Sequence, residues 1–254
     1  MNFAIGSHLG KLLLMFLLVA VMVGPSLAAD LVVDGSFENQ KNGADLRKDS
    51  KGSDWYESRK DTEAGSKLLK LSTKDIGGNA TQKAMIKASP ELNTYLSQRL
   101  TAAQDFIVTV SFDIFIKEIL PADNRSAFIM LGNIKDKKGG PNSTGKERFV
   151  FMGFENAAEP GQINLFAREG STKWAEKTMV ASGLELKRWY TINIEANIPE
   201  GFYTTTVVGV TEPFELESFY TKGRTPDNIS HISFASWNDG AGTFYVDNVT
   251  VQDQ

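Results

Sequence analysis

The residues able to do chemistry in this 254-residue chain are few in kind: it has two histidines and no cysteine. A zinc centre draws on histidine, cysteine and carboxylate ligands, so a site with several histidines is out of reach once His8, in the N-terminal segment expected to be removed, is set aside. A Ser-His-Asp arrangement has to use His231. That residue lies in Asn228-Ile229-Ser230-His231-Ile232-Ser233-Phe234, whose alternation predicts an ordinary, half-exposed strand position. Paired carboxylates are the other route to hydrolysis, one on each side of a glycosidic bond. Glu155 and Glu159 have suitable spacing but fall in Glu155-Asn156-Ala157-Ala158-Glu159-Pro160-Gly161, which predicts a loop. Glu215 and Glu217 flank Leu216 and are expected to share a strand face, with no further catalytic motif around them. The signatures of sandwich polysaccharide lyases are not found. The balance of side chains therefore points away from an enzyme.

Aromatic residues offer a different chemistry. Indole rings stack on the apolar faces of sugars, while amides, carboxylates and guanidinium groups take the hydroxyls. Of the four tryptophans, Trp189 opens an alternating strand and is expected at the core edge. Trp55 follows a polar loop, Trp174 stands among Lys173, Glu176 and Lys177, and Trp237 precedes Asn238-Asp239-Gly240. Trp55, Trp174 and Trp237 are thus the candidate stacking residues, with Asn238, Asp239 and Arg168 as polar partners. For any one of these rings, core packing is the competing reading.

Positioning such groups falls to strands. Short runs rich in β-branched and aromatic residues, bounded by Gly, Pro, Asn and Asp, recur along the chain. In Phe106–Ile116 the residues Phe106, Val108, Val110, Phe112, Ile114 and Ile116 fall on one face, which predicts a core-facing strand. Further strands are expected at 31–37, 67–72, 95–100, 127–132, 148–154, 163–168, 174–180, 189–196, 203–210, 231–237 and 243–251. The best helical candidate is a turn or two at Thr81–Lys87. Long loops are expected at 39–53 and 135–146. Many strands without intervening helices predict an all-β fold, an antiparallel β-sandwich of jelly-roll type.

Lys11, the apolar run Leu12–Val23 and the small residues before Asp30 have the pattern of a secretory signal peptide. That run is shorter than the roughly 20 residues a spanning helix needs. Residues 1–29 are therefore expected to be removed, leaving 30–254 as a single exported sandwich domain. It would carry 26 basic against 31 acidic side chains. Such a balance disfavours nucleic acid or an anionic membrane as partner. Without cysteines, its stability has to come from burial, sheet pairing and, on this reading, a bound ion.

The two ends of this domain resemble one fold family. Leu31-Val32-Val33-Asp34-Gly35-Ser36-Phe37-Glu38 is similar to the opening strand of galactose-binding-like jelly rolls, among them carbohydrate-binding modules of families 4, 9 and 22. Thr243-Phe244-Tyr245-Val246-Asp247-Asn248-Val249 resembles their closing strand, and Tyr95–Leu100 followed by Phe106–Ile116 resembles an internal pair. The chain is longer than such modules. Its surplus, between Arg148 and Val210, looks like strands of laminin-G or concanavalin-like sandwiches.

The resemblance implies a structural calcium ion where the terminal strands meet. Glu38 and Asp247 would supply carboxylates, Gly35 or Ser36 backbone oxygens, and the Asp54–Asp61 region a third carboxylate, to a cation that takes six to eight oxygens at roughly 2.3–2.6 Å. It also implies a secreted, non-catalytic protein binding a polysaccharide or glycan. The alternatives are a sandwich-fold glycoside hydrolase or polysaccharide lyase, and an extracellular structural or surface-matrix protein.

Overall fold

The computed structural model describes residues 29–40, 46, 54–58, 68–120, 124–134, 147–170, 173–219, 226–237 and 242–254. The expected loops at 135–146 and most of 39–53, and the apolar run at 12–23, lie outside them. Among the described residues no helix is long and apolar enough to cross a membrane.

Among the described residues fourteen strands form two sheets of seven, and every pairing between them is antiparallel. The strands are β1 (Tyr56–Glu57), β2 (Leu69–Ser72), β3 (Lys83–Lys87), β4 (Thr94–Gln104), β5 (Ile107–Ile119), β6 (Arg125–Gly132) and β7 (Arg148–Asn156). They continue as β8 (Gln162–Ala167), β9 (Thr178–Glu185), β10 (Trp189–Asn197), β11 (Phe202–Val207), β12 (Phe214–Glu217), β13 (Ile229–Ser236) and β14 (Gly242–Asp253). The first sheet runs β1-β4-β13-β6-β7-β8-β9, and the second runs β12-β11-β10-β5-β14-β3-β2. The architecture is the expected jelly-roll β-sandwich.

The core lies between the sheets. Val108, Val110, Phe112, Ile114 and Ile116 of β5 are buried there, opposite Ile129, Val150, Leu165, Ile232 and Phe234 of the first sheet. Phe112 and Phe234 meet across it with ring centroids 5.1 Å apart. Phe106, expected to continue that apolar face, precedes the strand and is 59% exposed.

The sheets differ in how their strands use their two faces. β10 and β11 alternate buried with more exposed residues, so the outer face of the second sheet meets water. β6, β7 and β13 are buried along nearly their whole length. The outer face of the first sheet is therefore covered as well, and it carries a second apolar cluster of Tyr95, Phe128, Met130, Phe151, Phe166, Phe219 and Ala235. His231 is on this twice-covered β13. It is 1% exposed rather than half-exposed, and its Nδ1 lies 2.7 Å from Ser230 Oγ.

Two expected elements are corrected. Thr81–Lys87 is not helical: residues 83–87 form β3, paired with β2 and β14. The stretch 31–37 is not a strand either. Asp34 and Phe37 have φ of 52° and 61°, left-handed values that break an extended run. It instead spans the sandwich edge: Leu31 N–H donates to Val251 O of β14, and Leu31 O accepts from Thr101 N–H of β4.

Tyr203 of β11 is wholly buried, with no hydrogen-bond partner for its hydroxyl, and burial pushes that hydroxyl far above the usual tyrosine range. A buried, unbonded hydroxyl costs about 1–3 kcal/mol. Tyr203→Phe is expected to raise the midpoint of urea unfolding with an unchanged denaturant slope. A lower midpoint would mean that the hydroxyl is bonded after all.

Candidate functional site

Arginine and aromatic side chains gather on the outer face of the first sheet. Phe151 of β7 is its centre. The Arg148 guanidinium lies 4.3 Å from the Phe151 ring centroid and 5.5 Å from that of Trp237. The Arg168 guanidinium, just past β8, lies 5.5 Å from Phe151 and 4.9 Å from Phe219. Trp237, just past β13, is 5.9 Å from Phe151 and stacks on Phe128 at 4.0 Å and 27°. Phe219 meets Phe151 edge-on at 5.4 Å. Guanidinium groups are drawn to the negative faces of aromatic rings, so each arginine is held over a ring.

Three arginines, Arg125, Arg148 and Arg168, act on one another here in a chain whose net charge is -4, with Glu147 opposing them at Arg148. Burial pushes Arg148 down to about 10, and neighbouring Arg168 adds to the fall. Burial also lowers Arg168, and Arg125 acts in the same direction. All three guanidiniums stay protonated at neutral pH. Lys177 adds a fourth cation: its Nζ lies 5.6 Å from the Phe166 ring and 3.1 Å from Glu155 Oε2. Arg148 is buried, whereas Arg125, Arg168, Lys177 and Trp237 are partly open to solvent. Cations on a partly dry aromatic bed suit a carboxylate or sulfate, which a guanidinium grips through two parallel hydrogen bonds.

Of the expected ligand residues, the structure brings Trp237 and Arg168 together around Phe151. Trp55 is a correction. It is fully buried between the sheets, 5.1 Å from Phe37 and 6.4 Å from Phe234, and its indole N–H donates to Asp34 O at 2.9 Å. No sugar reaches it. Trp174 opens a short 3₁₀ turn, Trp174–Glu176, before β9. Asn238 and Asp239 lie outside the described residues. Sequence reasoning missed Arg148, Phe151 and Phe219. The available signal was the continuous apolar run Phe149–Phe154, which marks a strand covered on both faces.

The carboxylate pairs do not converge on a catalytic geometry. Glu155 is at the end of β7 in its bridge to Lys177, and Glu159 is exposed in the following turn. Glu215 and Glu217 do share a face, the exposed one of edge strand β12.

A depression of about 350 Å³ lies on the other sheet. It is lined by Thr109, Ser111, Asn193, Glu195, Thr204 and Thr206, among others, with no aromatic ring and no cation. Hydroxyls and amides on a wet sheet face are ordinary solvated surface. The distinctive chemistry is on the arginine-aromatic face.

The residues expected to hold calcium do meet, but their oxygens are largely engaged. Asp247 is fully buried; its Oδ2 accepts from Asn79 Nδ2 at 2.8 Å and Thr81 Oγ1 at 2.9 Å, and its Oδ1 from Asn248 N–H at 2.8 Å. Glu38 Oε1 accepts from Gln82 N–H at 2.7 Å, and Gly35 O accepts from Val249 N–H at 2.9 Å. Among the described residues no three acidic or histidine side chains cluster as a metal site would require. Among the described residues these oxygens fall short of the six to eight that calcium takes; Asp45, Asp49 and Asp61 lie outside them.

No family model matches the chain, and no curated protein matches it. Among solved structures it is similar to a sialidase, at 14% identity and a TM-score of 0.51 over 85% of this chain and 19% of that one. The chain thus spans about a fifth of the sialidase's length. It is also similar to the carbohydrate esterase of the Shiga toxin-encoding bacteriophage phi24B, at 13% identity and a TM-score of 0.52 over 83% of this chain and 99% of that one. An alginate lyase of polysaccharide lyase family 7 aligns at 14% identity over 72% of this chain and 82% of that one, with a TM-score of 0.47. At these identities the likeness is one of fold.

Proposed function

We propose that this chain is an exported, non-catalytic glycan-binding protein that takes an anionic polysaccharide on the arginine-aromatic face of its first sheet. The observation that carries the reading is the placing of Arg148, Arg168 and Trp237 around one ring, Phe151. Arg168, partly open to solvent, supplies positive charge to the acidic group, buried Arg148 holds Phe151 beneath it, and the aromatic edges supply apolar surface to the sugar ring. The sandwich fold, shared with a carbohydrate esterase and a sialidase, is compatible with this role, and the N-terminal signal pattern supports export.

The test is electrophoresis of the protein through gels containing either a neutral glucan or a uronate-rich polysaccharide. Retardation is expected in the acidic gel only, and it weakens with added salt because exposed charges are screened. Arg168→Ala is expected to weaken retention by about tenfold or more, since a hydrogen bond to a charged group contributes about 1.5–3 kcal/mol. Equal mobility in all gels, or full retention by Arg168→Ala, overturns the reading. Release of reducing ends would mark a hydrolase, and unsaturated, ultraviolet-absorbing products a lyase. Self-association without glycan retention would indicate a matrix protein.

A further inference from the structure

We infer that the ammonium group of Lys83 is the cation that fastens the turn between β2 and β3, and that this turn, through Thr81 and Gln82, holds the corner where the calcium of similar modules was expected. Lys83 begins β3, and its side chain is wholly buried. Its Nζ donates to three backbone carbonyls, Thr81 O at 2.6 Å, Lys74 O at 2.9 Å and Ser72 O at 3.5 Å. Three donors therefore meet three oxygens, which uses the full capacity of an ammonium group.

The surroundings are built for a single positive charge. Burial lowers the Lys83 pKa, and the carboxylates of Asp247, Asp75 and Glu38 oppose that fall. Asp247 is the terminal-strand carboxylate that the calcium reading had chosen. Gln82, the neighbour of Lys83, completes the clasp. Its backbone N–H donates to Glu38, and its side-chain amide donates to Phe37 O at 2.5 Å and Gln40 O at 2.6 Å. Gln82 thereby ties residues 37–40 to β3, and Thr81 Oγ1, donating to Asp247 Oδ2 at 2.9 Å, ties the same turn to β14. Two positive charges cannot share this space cheaply, because like charges at close range in a protein interior repel strongly.

One atom argues the other way. Asp34 Oδ2 is buried with no hydrogen-bond donor. A buried carboxylate oxygen without a donor is the kind of atom a divalent ion would take, so the experiment includes Asp34.

The first measurement is thermal unfolding of the wild-type protein in excess EDTA and in millimolar calcium chloride. The midpoints are expected to agree within about a degree, because a ligand stabilises only when it binds the folded state. A rise of several degrees in calcium, abolished in Asp34→Asn, overturns the proposal. The second is the Lys83→Met variant, close in shape but uncharged. It is expected to unfold at least about 5 °C lower than wild type, because three part-buried carbonyls lose their charged donor. An unchanged midpoint overturns the proposal. Should Lys83→Met fail to fold, the wild-type comparison still decides, as does nitrogen-detected NMR of the lysine ammonium groups. A buried, triply bonded ammonium gives a slowly exchanging signal at neutral pH, and absence of any such signal counts against the clasp. These results do not depend on whether the arginine-aromatic face binds a glycan.

Discussion

Trp55→Ala is expected to lower the free energy of unfolding by about 3–5 kcal/mol, the range for emptying a large aromatic site in a core. The ring is fully buried between Phe37 and Phe234, so its loss leaves a void between the two sheets. It also leaves Asp34 O without the indole N–H it accepts. Trp55→Phe keeps part of the volume and loses only the hydrogen bond and some packing, so its cost should fall below that of alanine. Urea unfolding followed by circular dichroism measures both. At a temperature where the alanine variant is still folded, its retention on an acidic polysaccharide should equal that of wild type. Lost retention with intact stability would return Trp55 to the binding surface.

Gly35→Ala is expected to be as damaging, by the opposite cause. A Cβ on residue 35 would stand 1.7 Å from the carbonyl oxygen of Val249 and 2.8 Å from its carbon. Both belong to the backbone of β14, so no side chain can swing aside to make room. The Gly35 O to Val249 N–H hydrogen bond must stretch or break as the N-terminal segment is pushed off β14. Overpacking typically costs 1–3 kcal/mol, and about 3 kcal/mol or more is expected here because the obstacle is main chain. The control is Gly78→Ala: a Cβ there meets nothing within 4 Å, although its φ of 85° carries its own strain. The larger loss is expected at Gly35 in thermal unfolding. A loss at Gly78 equal to that at Gly35 would show that local strain, and not contact with β14, sets the cost.

The sandwich was legible because most strands announce themselves through alternation: β5 and β10 place apolar and polar residues on opposite faces, and the structure keeps that pattern. The same logic failed at β3. Thr81-Gln82-Lys83-Ala84-Met85-Ile86-Lys87 is rich in good helix formers, yet its tertiary setting makes it a strand. Ala84 and Ile86 fill the core, while Lys83 fills a cage of oxygens that no local pattern reveals. The candidate site was half legible for a related reason. Arg168 and Trp237 stood out by type, but Arg148 and Phe151 were hidden in a run that looks like core, as in part it is. Trp55 was misplaced because it follows a polar loop. Its burial depends on Phe37 and Phe234, residues that only the folded chain brings near.

The place of β14 bears on how this chain reaches its fold. It sits between β5 and β3 in the second sheet, yet it comes last in the order of strands. Until residues 242–253 arrive, β12-β11-β10-β5 and β3-β2 are separate ribbons with unpaired edges facing each other. Their union waits on contacts between positions as far apart as Leu31 and Val251. Such distant pairings make folding slow, in the range of milliseconds to seconds for β-rich domains. A chain released stepwise thus stays open until its final segment docks, and removing that segment would leave two open sheet edges prone to pairing with other chains.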